Sequence, residues 1–77
     1  MSPSLPAVSA RQVLAALRRA GFVVGQISGS HHMLVHTTDA RRTVTVPFHG
    51  DRSLRPGTLR NILRQAGLTV EGFRDLL

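Results

Sequence analysis

The 77-residue chain contains no cysteine, lysine, tyrosine or tryptophan, and only four of its residues are aspartate or glutamate. Without cysteine it can form neither disulfide bonds nor thiolate metal sites, which fits a reducing compartment, and we expect a cytoplasmic protein. Few of the remaining side chains can transfer a proton near neutral pH. Histidine can, because its unperturbed pKa of about 6.5 lies in that range. If the protein is an enzyme, its candidate acid–base groups are the four histidines, His31, His32, His36 and His49.

Long apolar runs are also missing. None approaches the roughly 18 residues that span a bilayer, and residues 1–9 lack the basic and apolar regions of a signal peptide. We therefore expect a soluble protein that is not exported and does not bind a membrane. A chain of this length makes one small domain with no deep cofactor cavity. We interpret residues 1–8, which contain two prolines and no periodicity, as a flexible leader, and residues 9–77 as a single domain.

The charge is strongly basic, with a net charge of +6 and a pI of about 12.0. Such a domain should attract polyanions. All ten basic residues are arginine, whose planar guanidinium binds phosphate oxygens in pairs and stacks on bases, although genomic GC bias would also replace lysine with arginine. RNA is the polyanion whose own 2′-hydroxyl can act as a nucleophile once a base removes its proton.

Capping signals predict three helices. Ser9 begins the first in a capping-box pattern, and apolar residues follow at helical spacing until Gly21. Pro56 begins a second amphipathic helix that ends at Gly67. Thr69 caps a last, short helix.

Three short β-branched segments lie between the two longer helices. They predict strands at 22–27, 31–37 and 42–46, joined by turns at 28–30 and 38–41. Strands joined by such short turns form an antiparallel meander. The order αβββα therefore predicts an α+β domain in which helices pack on one face of the sheet and leave the other face open to a ligand.

The tetrapeptide Gly29-Ser30-His31-His32 stands where the first turn enters the second strand. Adjacent strand residues point to opposite faces, so His31 and His32 cannot both contact one substrate in a regular strand, and we expect one of them to be structural. His32, Leu34 and His36 share one face of the strand, and His31, Met33 and Val35 share the other. Neither face is cleanly apolar, so the pattern leaves open which of the two is exposed.

The spacing of potential ligands predicts no metal site. His32 and His36 are four strand residues apart, about 13 Å, whereas zinc requires its ligand nitrogens about 2.1 Å from one ion. The four carboxylates are scattered, and the glycines form no phosphate-cradling G-x-G-x-x-G or Walker pattern. We expect no metal and no cofactor.

From about residue 10 onward the chain carries a series of motifs in a characteristic order and spacing. An amphipathic helix ends in Gly21-Phe22, and there follow Gly29-Ser30-His31-His32, Val44-Thr45-Val46-Pro47, Pro56-Gly57-Thr58-Leu59, Ile62-Leu63 and Ala66-Gly67-Leu68. In this series the chain resembles the HicA-type toxins of HicA–HicB toxin–antitoxin pairs. These are small ribonucleases with a double-stranded-RNA-binding-like fold.

The resemblance implies an mRNA interferase, a metal-independent endoribonuclease that cleaves mRNA and so blocks translation until a cognate HicB-like antitoxin covers its active site. In that family the histidine directly after Gly-Ser is catalytic, which corresponds to His31. Members often carry lysine or arginine just before the glycine, where this chain has Ser28. One phosphate contact would then be absent or supplied by another arginine.

For RNA cleavage, His31 would act as general base on the 2′-hydroxyl or as general acid on the leaving 5′-oxygen, since one histidine does only one of these in a given step. The second proton carrier is open, with His32, His36 or water as candidates. We expect Gly29 to permit a positive φ or a close approach of RNA, and Ser30 to fix the turn. The expected RNA contacts are Arg41 and Arg42 at the second turn, and Arg60 and Arg64 on the second long helix.

Two other hypotheses fit the sequence. One is a non-catalytic RNA-binding module of the same fold, in which His31 only contacts a phosphate or a 2′-hydroxyl. The other is a structural protein whose basic surface engages an acidic partner. A gene for a HicB-like protein beside this one would favour the toxin over both.

Overall fold

The structure, a computed structural model, describes residues 4–77. The elements in chain order are helix α1 (Ala10–Arg19), strands β1 (Phe22–Ser28), β2 (His31–His36) and β3 (Thr43–Pro47), and helices α2 (Pro56–Ala66) and α3 (Val70–Asp75). The three strands form one antiparallel sheet in the order β1-β2-β3. The predicted αβββα order, with its last short helix, is therefore confirmed.

The helices begin and end where short-range signals predict. Ser9 and Gln12 form the capping box of α1, in which each side chain accepts a hydrogen bond from the backbone N–H of the other residue. Pro56 is the first residue of α2, and Gly67 ends that helix in the left-handed conformation, with φ of 72°. The hydroxyl of Thr69 caps α3. The side-chain caps of α1 and α3 each contribute about 1 kcal/mol to stability.

The two faces of the sheet differ in burial. Cross-strand partners lie on the same face, and Leu34 in the central strand pairs with Val24 on one side and Val44 on the other. Leu34 and Val44 are fully buried under the helices. Val23 and Met33, on the opposite face, are 46% and 42% exposed. The helices therefore cover one face, and the other face is open, as predicted.

A single hydrophobic core joins the covered face to all three helices. Its members are Val8, Ala10, Val13, Ala16, Leu17, Phe22, Leu34, Val44, Val46, Leu59, Ile62, Leu63, Ala66 and Phe73. In a domain this small one core carries most of the apolar burial, so each large member contributes substantially to a net stability of about 5–15 kcal/mol. No helix within residues 4–77 is long and apolar enough to cross a membrane.

Part of the segment predicted as a leader packs against this core. Val8 is 3% exposed, and Leu5 contacts the core from outside. The carbonyl of Val8 accepts a hydrogen bond from the N–H of Leu54 at 2.8 Å. The packed part of the chain therefore begins before Ser9. The division into a flexible leader (1–8) and a domain (9–77) stays a prediction, and residues 1–3 lie outside the described residues.

Candidate functional site

A tight hairpin joins β1 to β2 and carries the Gly-Ser-His-His motif. Ser28 pairs with His31, which leaves Gly29 and Ser30 as the two loop residues. Gly29 has φ of 58°, and a positive φ at the first position of a two-residue hairpin favours glycine. A Cβ atom added at Gly29 would meet no atom within 4 Å. Glycine is therefore required here for backbone conformation, and the surface beside the hairpin is open.

His31 is exposed at the start of β2, on the open face of the sheet. Its neighbours across the strands are Ser28 in β1 and Pro47 in β3. The histidine-ring hydrogen bonds found within residues 4–77 all belong to His36. The imidazole of His31 is therefore exposed and has no hydrogen-bond partner among the described residues.

His32 points to the covered face. It is half-buried, pairs with the buried Val46, and its ring lies 4.9 Å from that of Phe48 between centroids. Its Nδ1 atom is buried and has no hydrogen-bond partner among the described residues. The strand alternation predicted from the sequence therefore separates the two histidines, and His32 does not share the face on which His31 would meet a substrate.

His36 is held by the main chain at the far end of β2. Its Nδ1 atom accepts a hydrogen bond from the N–H of Thr38 at 3.2 Å, so Nε2 carries the proton and donates to the carbonyl of Ala20 at 3.2 Å. The backbone at Gly21 approaches this ring so closely that a Cβ there would lie 2.8 Å from Nε2. Five strand residues separate His36 from His31, about 16 Å, so the two rings cannot act on one bond.

His49 lies in the segment that follows β3 and lines a cleft of about 460 Å³. The cleft lies between the end of β3 and the start of α2, and is lined by Pro47, His49, Arg52, Ser53, Leu54, Arg55 and Thr58. Pro47 is the β-sheet partner of His31, so the cleft begins one strand away from the exposed histidine. Sequence reasoning counted His49 only among the four candidate acid–base groups, and it missed this cleft. The available signal was the recurrence of basic side chains at 49, 52 and 55.

Of the two arginines at the second turn that were predicted to contact RNA, one is exposed and the other is hydrogen-bonded within the protein. The Arg41 side chain is 93% exposed and lies 3.3 Å from the carboxylate of Asp39. Arg42 donates a hydrogen bond to the carbonyl of Ala66 and stands over the ring of Phe22, 5.4 Å from its centroid. Arg42 thus ties the turn before β3 to the end of α2, which explains its partial burial. Its expected contact with RNA stays a prediction.

Arg60 and Arg64 are exposed on α2, as its amphipathic pattern predicts. Arg64 also donates to the side chain of Asn61. Since α2 packs on the covered face of the sheet, these arginines lie on the outer side of the helical layer. The structure therefore does not bring them to the open face that carries His31.

The described residues contain no cluster suited to a metal ion. Within residues 4–77 no group of three or more histidine, aspartate or glutamate side chains converges. Strand alternation separates His31 from His32, and the length of β2 separates His31 from His36.

Comparison with known proteins identifies the family to which the chain belongs. A family model described as the HicA toxin of bacterial toxin–antitoxin systems matches residues 10–68, more than half of the chain. A search of curated proteins found no match. The matched range runs from the first residue of α1 to just beyond α2, and it includes the hairpin with His31 and the whole cleft. The chain belongs to the HicA toxin family and is the toxin of a toxin–antitoxin pair.

Proposed function

We propose that this toxin is an endoribonuclease that cleaves mRNA and thereby blocks translation, with His31 as its catalytic residue. The observation that carries the proposal is an exposed imidazole, without a hydrogen-bond partner among residues 4–77, on the open face of a strongly basic domain. The ring can reach a strand of RNA laid across that face. Family membership supports the toxin role and implies a cognate antitoxin as partner. An mRNA substrate would make the cytoplasm the site of action.

The proposed chemistry uses the RNA's own nucleophile. A base removes the proton from a 2′-hydroxyl, the oxygen attacks the adjacent phosphorus, and the 5′-oxygen leaves with a proton from an acid. The products are a 2′,3′-cyclic phosphate and a 5′-hydroxyl. His31 is suited to one of the two proton transfers, and a guanidinium near the phosphate would stabilise the negative charge that develops on its oxygens.

The RNA contacts that we propose are the exposed arginines Arg41, Arg60 and Arg64. Arg41 stands at the turn that leads into β3, whereas Arg60 and Arg64 would hold another part of the same chain along α2. Phosphate contacts of this kind hold the strand without reading its sequence. Gly29 and Ser30 would support His31 by fixing the hairpin.

The test is incubation of the purified protein with a long mRNA in EDTA, beside a His31→Ala variant and a 2′-deoxy copy of the substrate. We expect the parent to cut the RNA in the presence of the chelator, because the described residues bring no set of metal ligands together. We expect the variant to be inactive and the deoxy copy to remain intact. If chelation abolished cleavage and a divalent ion restored it, the proposed metal-independent mechanism would be wrong.

One observation favours a second candidate, a non-catalytic RNA-binding module. A catalytic histidine is commonly oriented by a hydrogen bond to its second ring nitrogen, and His31 has none within residues 4–77. In this hypothesis His31 contacts a phosphate or a 2′-hydroxyl without transferring a proton. The same experiment distinguishes the two, because a binding module retains RNA without producing fragments.

A further inference from the structure

The cleft beside β3 is large enough to hold a ligand, and most of its lining is polar or basic. Its volume of about 460 Å³ falls within the range of roughly 300–1,000 Å³ that is typical of small-molecule pockets. Pro47 and Leu54 form an apolar part of the wall, and His49, Arg52 and Arg55 supply the polar groups that can carry a positive charge. No carboxylate is among the lining residues. A bound anion would therefore meet no negative group on the wall.

The two arginines of the cleft are not neutralised by the protein. The described residues contain two ion pairs, and neither involves Arg52 or Arg55. Asp51 is next to Arg52 in sequence, but its carboxylate pairs with Arg11 at 3.3 Å. Two guanidinium groups that line one cleft repel each other, and an anion bound between them would offset that repulsion. Their placement thus favours a ligand with negative charge.

The start of α2 adds hydrogen-bond donors to the same wall. Arg55 is the N-cap residue and makes no side-chain cap, and the first turn contains no acidic residue. The first intrahelical hydrogen bond is donated by the N–H of Leu59 to the carbonyl of Arg55, which leaves the N–H groups of Gly57 and Thr58 without an intrahelical acceptor. Thr58 lines the cleft. A phosphate oxygen in the cleft could accept from these groups as well as from the arginines.

The cleft is fixed relative to His31 by two contacts. The N–H of Phe48 donates to the carbonyl of Ser30 in the hairpin, and the ring of Phe48 lies against that of His32. The segment that leads into the cleft is thereby held against the residues on either side of His31. A strand of RNA that occupies the cleft and passes over Pro47 would arrive at the exposed imidazole.

We propose that this cleft is a phosphate-binding subsite of the RNA strand, in which Arg52 and Arg55 hold a phosphate that neighbours the one cleaved at His31. His49, at the same wall, donates a hydrogen bond to that phosphate. The inference rests on the proposed ribonuclease function for the identity of the strand. The affinity of the cleft for phosphate does not depend on cleavage.

The first test measures binding without cleavage. Inorganic phosphate is titrated into the labelled protein, and the amide resonances of Gly57 and Thr58 are followed by NMR. A 2′-O-methyl RNA oligonucleotide, which lacks the nucleophile, is then bound at several salt concentrations. Both measurements are repeated on the double variant Arg52→Ala/Arg55→Ala. The control is Arg18→Ala/Arg74→Ala, which removes the same charge from exposed positions on α1 and α3.

We expect phosphate to shift the amide resonances of Gly57 and Thr58 in the parent and in the control. In Arg52→Ala/Arg55→Ala, called the cleft variant below, it should shift neither resonance. Each single-strand phosphate contact contributes about 0.7 to the slope of log K against log salt, which corresponds to about fivefold in affinity at 0.1 M salt. The cleft variant should therefore bind the oligonucleotide about 5-fold more weakly if the arginines hold one phosphate, and about 25-fold if they hold two. The control should change affinity less than twofold.

Cleavage assays separate this subsite from the proposed function. With a cleavable RNA, the cleft variant should raise KM and leave kcat near that of the parent. If the parent cleaves RNA and the cleft variant retains its KM and salt slope, the subsite is refuted, and an acidic segment of the antitoxin becomes the better occupant. Equal losses of RNA affinity in the cleft variant and the control would also refute the subsite, since the change in net charge alone would explain them. If the parent binds phosphate at the cleft but cleaves no RNA, the ribonuclease proposal fails, and the cleft stands as a phosphate site only.

Discussion

Replacing His31 or His32 by alanine gives the sharpest test of the proposed site, because the structure assigns opposite surroundings to two adjacent residues of one type. The His31 ring is exposed and has no hydrogen-bond partner within residues 4–77. Its removal should change stability by no more than about 0.5 kcal/mol, as is usual for a surface substitution. A positioned proton-transfer group contributes about 10² to 10⁴ in rate. His31→Ala should therefore lose cleavage and keep its melting temperature.

His32→Ala should show the opposite pattern. The substitution removes a half-buried ring from its contact with Phe48, which costs about 2 kcal/mol in apolar burial and ring packing. It also removes the buried Nδ1 atom, which has no hydrogen-bond partner among the described residues, and this stabilises the fold by about 1 kcal/mol. The net loss of about 1 kcal/mol corresponds to a fall of roughly 4–8 °C in Tm for a domain of this size. Below the lowered Tm, the cleavage rate should stay near that of the parent.

The assays are thermal melting by circular dichroism, cleavage of a long mRNA, and growth of a bacterial host that expresses each variant without the antitoxin. We expect the parent and His32→Ala to arrest growth, and His31→Ala to permit it while still binding RNA. If His31→Ala stayed toxic and His32→Ala lost cleavage at unchanged Tm, the catalytic histidine would be His32. If both variants cut RNA like the parent, neither histidine would be catalytic. Parent and variants that all bind RNA without cutting it would indicate the non-catalytic binding module.

Two further predictions concern RNA contacts and the backbone. Arg60→Ala/Arg64→Ala should lower the slope of log K against log salt by about 1.4 if both side chains contact phosphates, and an unchanged slope would remove α2 from the RNA surface. Gly21→Ala should lower Tm more than Gly29→Ala. Both glycines have positive φ, at 97° and 58°, but only the added Cβ at Gly21 would collide with a neighbour, 2.8 Å from the ring of His36. Equal losses of Tm would mean that the ring moves aside at little cost.

The helix ends could be predicted from the sequence because their signals act within one turn. The capping box at Ser9, the proline at position 56 and the left-handed Gly67 each involve residues at most four apart. The strand ends were predicted less accurately than the helix ends. Pro47 was expected to follow β3 and instead is its last residue. Proline is tolerated there because β3 is an edge strand, with one side of its backbone free of a neighbouring strand.

An open face was predicted, but which residues of β2 lie on it could not be, because polar side chains occur on both faces of that strand. His36 lies on the covered face at no great cost, since main-chain groups satisfy both of its ring nitrogens. Arg42 likewise looked like a turn residue, yet its partner is the carbonyl of Ala66, 24 residues away. Local patterns contain no information about contacts across such distances. The same reason explains why the cleft was missed, since its walls come from the end of β3 and the start of α2.

The position of the hairpin explains how so small a domain can carry a reactive group without weakening its core. In the two-residue turn, Gly29 adopts the positive φ that the reversal requires, so β2 begins directly at His31. Alternation then directs His31 outward and, three residues later, Leu34 inward, where it is fully buried between Val24 and Val44. The residue proposed for chemistry and the residues that stabilise the fold therefore share a strand but not a face. Because of this separation, the His31 side chain can change while the packing under the helices stays intact.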